Sequence, residues 1–191
     1  MNLSSQNDNS DIKSEFIKIV KSKGYEKREL PFRLSSGGFS NDYVDMRKAL
    51  SDGPDLALSA KYLLHTLELR GLDFDVVGGM TMGADPISHA VAILSGKSWF
   101  SVRKQEKTHG TKRRIEGAAV NEKTKVLLVE DTVSTGRSVL EALEVVKSQG
   151  AEVTSIVVLL DRGIGMSKKM TEENMVYIPL STYQDLGIDP L

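Results

Sequence analysis

Short apolar runs alternate with amphipathic stretches along most of this chain, and that alternation is the first guide to its architecture. Residues 74–77, 99–102, 126–129 and 153–160 are brief, mostly apolar and rich in β-branched or aromatic side chains. Such runs read as strands buried on both faces. Between them, residues 86–94 and 138–147 carry apolar positions at helical spacing. Upstream, Leu56, Ala60, Leu63, Leu64 and Leu67 form an amphipathic stripe that follows Asp52-Gly53-Pro54-Asp55 and ends at Gly71. Repeated βα alternation predicts an α/β protein with a central parallel sheet flanked by helices. Nearer the start, Ile12, Phe16, Ile19 and Val20 fall on one helical face closed by Gly24. Residues 32–34 and 43–46 then read as two short strands around a turn at Ser35-Ser36-Gly37-Gly38. Residues 1–10 are polar and are expected to be disordered. Residues 11–191 are expected to form one domain, with a small hood from about 11–50 and 175–191 over the sheet's C-terminal edge, where open α/β sheets bind ligands.

Composition narrows the function classes. The chain has 191 residues and a formal net charge of −1, which argues against a general nucleic-acid or membrane-surface binder. It has no cysteine, so disulfides, a thiol nucleophile and thiolate metal sites are excluded. No His, Asp or Glu cluster has metal-ligand spacing, and the apolar runs are strand-length. The polar N-terminus shows no basic segment followed by an apolar one, so the expectation is a cytoplasmic protein without a signal peptide or membrane span.

Chemistry concentrates where one strand ends. The run Val126-Leu127-Leu128-Val129 is followed by Glu130 and Asp131, then by Thr132, Val133, Ser134, Thr135, Gly136, Arg137 and Ser138 as a helix begins. Hydroxyls, turn amides and a helix N-terminus converge into an anion cradle, and phosphate is its natural guest. Two carboxylates beside a phosphate are tolerable when they accept hydrogen bonds from vicinal hydroxyls, so the pattern fits a ribose 5-phosphate. The plainer alternative is a βα loop whose acids cap the next helix. In order and type, the stretch resembles the PRPP-binding motif of type I phosphoribosyltransferases.

A second stretch, residues 103–117, is basic, polar and glycine-punctuated. On charge alone it is a solvated surface loop; beside a phosphoribosyl site it can bring cations to a leaving pyrophosphate. Arg103, Lys104, Lys107, His109 and Gly110 have the Arg-Lys-x-x-Lys-x-His-Gly spacing that resembles the catalytic loop of orotate phosphoribosyltransferases. Phe32-Arg33-Leu34-Ser35-Ser36-Gly37 with Ser40 and Tyr43-Val44-Asp45 is similar to that family's N-terminal segment. The stretch from Val77 through Gly78-Gly79-Met80-Thr81-Met82-Gly83-Ala84-Asp85 to Pro86 is similar to its first nucleotide-facing loop, in an actinobacterial-like form. Asp161-Arg162 stands where the family contacts the pyrimidine carboxylate. The similarity covers roughly residues 32–162.

That resemblance implies the type I phosphoribosyltransferase fold and transfer of the phosphoribosyl group from PRPP to orotate, giving orotidine 5′-monophosphate and pyrophosphate in pyrimidine biosynthesis. It implies Lys107, His109 and Asp131 as catalytic residues, and Arg103, Lys104, Glu130 and the 132–138 turn as further PRPP contacts. Ser134, Arg162 and Tyr43 become the orotate contacts. It implies Mg²⁺ held mainly through PRPP and water, and a homodimer in which the 103–117 loop reaches the neighbour's site. This chain departs from the common pattern at Ser35 and Gly83, where many members carry lysine, at Gly38, where arginine is common, and at Val44, where an aromatic is common. The alternatives are transfer to another nucleobase and a PRPP-sensing regulator without catalysis. Elsewhere, Gly96-Lys97-Ser98 matches the end of a phosphate-binding P-loop, but Val91 occupies its first glycine position. His65 and His89 read as structural, Trp99 as core, and residues 167–174 as a solvated helix end.

Overall fold

Polar as it is, the N-terminal segment is helical from Leu3. Helix α1 (Leu3–Ile19) continues into one π-helical turn, Val20–Gly24, which corrects the expectation of disorder through residue 10. The apolar face supplies the reason: Phe16 and Val20 are fully buried and Ile12 and Ile17 pack beside them. Once that face anchors a nucleus, propagation through the polar residues before it is cheap. The computed structural model describes residues 3–33, 38–105, 113–163 and 165–191.

Strands β1 (Tyr25–Arg33) and β2 (Phe39–Val44) form an antiparallel pair of their own, with an irregularity between Lys27 and Phe32. β1 begins well before the expected strand, because Glu26, Lys27 and Glu29 face solvent and leave no apolar alternation to read. A short helix α2 (Met46–Ala49) and the amphipathic α3 (Gly53–Leu69) follow. The main sheet is then built from β3 (Val76–Met80), β4 (Ser98–Val102), β5 (Ile115–Gly117), β6 (Lys125–Val133), β7 (Glu152–Asp161) and β8 (Tyr177–Thr182). Helices α4 (Asp85–Ser95), α5 (Arg137–Lys147), α6 (Met166–Glu172) and α7 (Tyr183–Leu186) alternate with these strands. Strand order is β5-β4-β3-β6-β7-β8, parallel throughout except for β5, which runs antiparallel to β4.

Side-chain alternation on β6 divides the core in two. Leu127 and Val129 face one layer with Phe16, Leu63, Ile87 and Leu159, whereas Val126 and Leu128 face the other with Phe100, Leu143, Ile156 and Met170. Among the described residues no helix is long and apolar enough to cross a membrane.

Two further expectations are corrected. The 175–191 tail is no hood: β8 joins the main sheet in register from Ile156↔Tyr177 to Asp161↔Thr182, and Ile178 and Leu180 are buried. Pro179 is tolerated because β8 is an edge strand. Residues 167–174 do form the exposed end of α6, with Met170 the one residue of that stretch that is buried. Trp99 is not core. It lies near the sheet edge, 41% exposed, with its ring edge-on to His89 at 4.4 Å between centroids.

Candidate active site

β3 and β6 are hydrogen-bonded only as far as Gly78↔Leu128, whereas β6 stays paired with β7 to Val133↔Asp161. The sheet therefore opens on one side of β6 just where Glu130 and Asp131 stand. The chain leaves β3 toward β4 and leaves β6 toward β7, which makes this crevice the topological switch point of the sheet.

The two carboxylates experience different surroundings. Glu130 is 4% exposed; its Oε1 accepts from the Asp131 N–H at 3.3 Å and its Oε2 has no partner. Burial, with the adjacent Asp131 charge and a side-chain hydrogen bond to it, pushes the Glu130 carboxyl up to about 9. Lys104 pulls against that rise. Asp131 is half-buried, and its Oδ1 accepts from the Thr132 N–H at 2.6 Å. Gly83 explains how the Asp131 carboxylate fits: a Cβ there would lie 2.7 Å from Asp131 Oδ1. The departure at residue 83 is thus a close approach of the β3–α4 turn to the acid.

Two cavities meet at this point, sharing Glu130 and Ser138. The smaller, about 240 Å³, is enclosed by Thr132, Val133, Ser134, Thr135, Gly136, Arg137 and Val139. Gly136 caps α5 with φ 76° and no side chain satisfies the first-turn amides, so they remain available to an anion. The larger, about 710 Å³, is lined by Arg47, Met80, Thr81, Met82, Gly83, Ser101, Arg103, Lys104, Gln105, Glu116 and Asp131. Its turn is braced by Asp85, which accepts from the Thr81 and Ser101 hydroxyls at 2.6 Å each.

The basic loop enters from this side. Arg103 N–H donates to the Arg114 carbonyl at 2.8 Å, while the Arg114 guanidinium donates back to the Arg103 and Lys104 carbonyls. The stem holds Arg103 and Lys104 at the cavity wall, and Arg103 pairs with Glu116 at 3.8 Å. β5 emerges inside the segment expected to be loop, three residues too short to signal a strand. Lys107 and His109 lie outside the described residues, as does the Ser35 turn.

Arg162 packs against the other end of the phosphate turn: its N–H donates to the Val133 carbonyl at 2.8 Å. It is 3% exposed, and its Nη1 donates to the Asp42 carbonyl at 2.7 Å, while Nε and Nη2 have no partner. Burial lowers the guanidinium from its ordinary value, opposed by Asp42 and Tyr25. Asp161 braces the turn, accepting from the Gly163 N–H at 2.9 Å and the Tyr177 hydroxyl at 2.8 Å. Tyr43 sits on β2 beside Asp42, but its ring is engaged edge-on by Phe32 at 5.4 Å and covered by the Arg28 guanidinium at 4.1 Å. The structure thus brings Arg103, Lys104, Glu130, Asp131 and Ser138 together around the larger cavity, with the 132–138 turn and Arg162 adjoining. Sequence reasoning missed Arg47, Ser101 and Glu116. For Arg47 the only local signal is the Asp45 cap of a four-residue helix, which says nothing about ligands.

Known proteins resemble this chain in sequence and fold. The family model described as "Phosphoribosyl transferase domain" matches residues 60–181. An orotate phosphoribosyltransferase of Pyrococcus furiosus is 40% identical over 155 residues, 81% of this chain and 85% of that one. The orotate phosphoribosyltransferase of Streptomyces coelicolor is 36% identical over 186 residues, 94% of this chain and 100% of that one. Among solved structures, Mycobacterium tuberculosis orotate phosphoribosyltransferase in complex with PRPP superposes with a TM-score of 0.75 at 32% identity, covering 93% of this chain and 99% of that one.

Proposed function

Because the chain belongs to the orotate phosphoribosyltransferase family, we propose that it transfers the phosphoribosyl group of PRPP to orotate, releasing pyrophosphate and forming orotidine 5′-monophosphate for pyrimidine biosynthesis. The observation that carries the base choice is Arg162: a buried guanidinium with two uncommitted donors, packed on the turn that would hold the sugar phosphate. Orotate differs from uracil by a carboxylate, and a planar fork matches a carboxylate in two hydrogen bonds.

The rest of the site divides the labour along the substrate. The α5 N-terminus and the 132–138 turn hold the 5-phosphate. Glu130 and Asp131 meet the ribose hydroxyls, and the Asp131 charge favours the ring as C1′ becomes cationic. Arg103 and Lys104 neutralise the departing diphosphate, with Lys107 and His109 included on the sequence pattern alone. Ser134 and Tyr43 are the further contacts assigned to the base on the sequence pattern. Mg²⁺ fits this donor set, because the partnerless Oε2 of Glu130 and the Asp131 carboxylate are hard oxygens. When bound, it would supply charge neutralisation at the leaving group.

A homodimer completes the proposal. On α4, Ile93 and Leu94 are 80% and 43% exposed, and Ile93 lies one turn after His89, whose ring meets Trp99, an apolar surface that suits a second copy. An ultraviolet assay of orotate consumption with PRPP and Mg²⁺, run beside uracil, adenine and hypoxanthine, tests the reaction. Orotate alone should be consumed; consumption of another base instead would reassign the substrate.

A further inference from the structure

Three cations and three carboxyl groups line the larger cavity among the described residues: Arg47, Arg103 and Lys104 against Glu116, Glu130 and Asp131. With the Glu130 carboxyl pushed up to about 9, Glu116 and Asp131 oppose these three cations near neutral pH, and without Arg47 the wall would only balance, with Arg103 lying 3.8 Å from Glu116. The β3–α4 turn adds no cation, since Gly83 presents only its backbone to the Asp131 carboxylate. A diphosphate carrying several negative charges needs a surplus of positive charge there. Arg47 decides the balance.

Its position is built rather than incidental. α2 is fixed by the Asp45 N–H donating to the Gly24 carbonyl at 2.9 Å and by Met46 and Ala49 buried beneath it. Asp45 Oδ1 caps the helix through the Arg47 and Lys48 N–H groups at 3.0 and 3.2 Å. The same carboxylate lies 3.6 Å from Arg47 Nε, which is beyond hydrogen-bond length. Asp45 thereby offsets part of the Arg47 charge, as Glu116 does for Arg103, without a hydrogen bond to the guanidinium. Arg47 lines the larger cavity and not the smaller one around the 132–138 turn.

We propose that Arg47 is a substrate-binding residue of the diphosphate subsite, contributed by α2 from the N-terminal hairpin side and facing the same anion as Arg103 and Lys104. The proposal rests on the phosphoribosyl-transfer reading and adds to it a cation from outside the basic loop. A guanidinium meets a diphosphate with two parallel N–H···O contacts, so its removal is felt by diphosphate and not by a ligand confined to the smaller cavity.

Calorimetric titration of the intact protein with inorganic pyrophosphate in Mg²⁺ buffer, and separately with ribose 5-phosphate, tests this. Arg47→Ala should weaken pyrophosphate at least about tenfold, as expected for a charge-assisted pair, and leave ribose 5-phosphate within about twofold. Arg47→Lys should fall between, because it keeps the charge without the fork. In turnover, KM for PRPP should rise while KM for orotate stays. Unchanged pyrophosphate affinity would make Arg47 a surface partner of Asp45, and equal loss of both ligands would make its role structural; either overturns the proposal. If the unaltered protein binds neither ligand, the transfer reading itself fails first, and that outcome is distinct from a failure at Arg47 alone.

Discussion

Glu130 and Asp131 are sequence neighbours whose surroundings separate them. Glu130, buried with a partnerless oxygen, has a carboxyl pushed up to about 9 from 4.5 in an unfolded chain. Below pH 4.5 it is neutral in both states and costs nothing. As pH rises toward 9 the unfolded form ionises while the folded form stays protonated, so the folded state loses stability across that window. Glu130→Gln removes the titration. In ligand-free protein its melting temperature should exceed wild type by several degrees at pH 8, at roughly 2–4 °C per kcal/mol, and the gap should close near pH 4.5. The same variant should lose turnover, the usual opposition of stability and function at a site. Arg162 gives the second residue-scale expectation. Arg162→Ala should raise KM for orotate at least about tenfold with KM for PRPP nearly unchanged. Arg162→Lys should not rescue it, because a point charge lacks the fork. A bystander arginine would give neither effect.

At the scale of elements, the phosphate turn depends on how α5 starts. Gly136 holds φ 76°, and a Cβ there would meet the Met166 sulfur at 2.5 Å. Gly136→Ala therefore combines left-handed strain of about 1 kcal/mol with displacement of α6. It should raise KM for PRPP and lower the melting temperature by a few degrees. Gly165→Ala, where a Cβ meets nothing within 4 Å, is the matched control. The sequence announces β6 and α5 clearly because both are driven by local signals, a four-residue apolar run and helical periodicity with a glycine before it. β8 and β5 are harder to read. Pro179 and Ser181 interrupt the β8 pattern, and β5 is held by its pairing with β4 rather than by its own composition. Trp99 misleads because an apolar residue at a strand start says nothing of how near the sheet edge that strand lies. Asp131 and the 132–138 turn were legible from residue order alone. Arg47 was not, since its position depends on α2 resting beside the strand ends, a contact between segments far apart in sequence.

At the scale of the whole molecule, several elements feed the candidate cleft, and the proposed dimer adds a second copy to it. Ile93→Asp places a charge in the centre of the exposed α4 face. It should shift sedimentation from dimer to monomer and reduce turnover, provided the basic loop acts across the contact. Mixing Lys107→Ala with Asp131→Asn protein gives a sharper result. If Lys107 serves the neighbour's site, each mixed dimer holds one intact site and one doubly altered site, and random reassortment should restore about a quarter of wild-type activity. No recovery would confine the loop to its own subunit. The half-exposed indole near this face has a further use. Trp99 is the chain's single tryptophan, so its tryptophan emission comes from one place only. An indole losing water at a closing contact emits at shorter wavelength. Diluting the unlabelled protein while recording its own fluorescence therefore reads subunit association directly, with the reporter already built into β4.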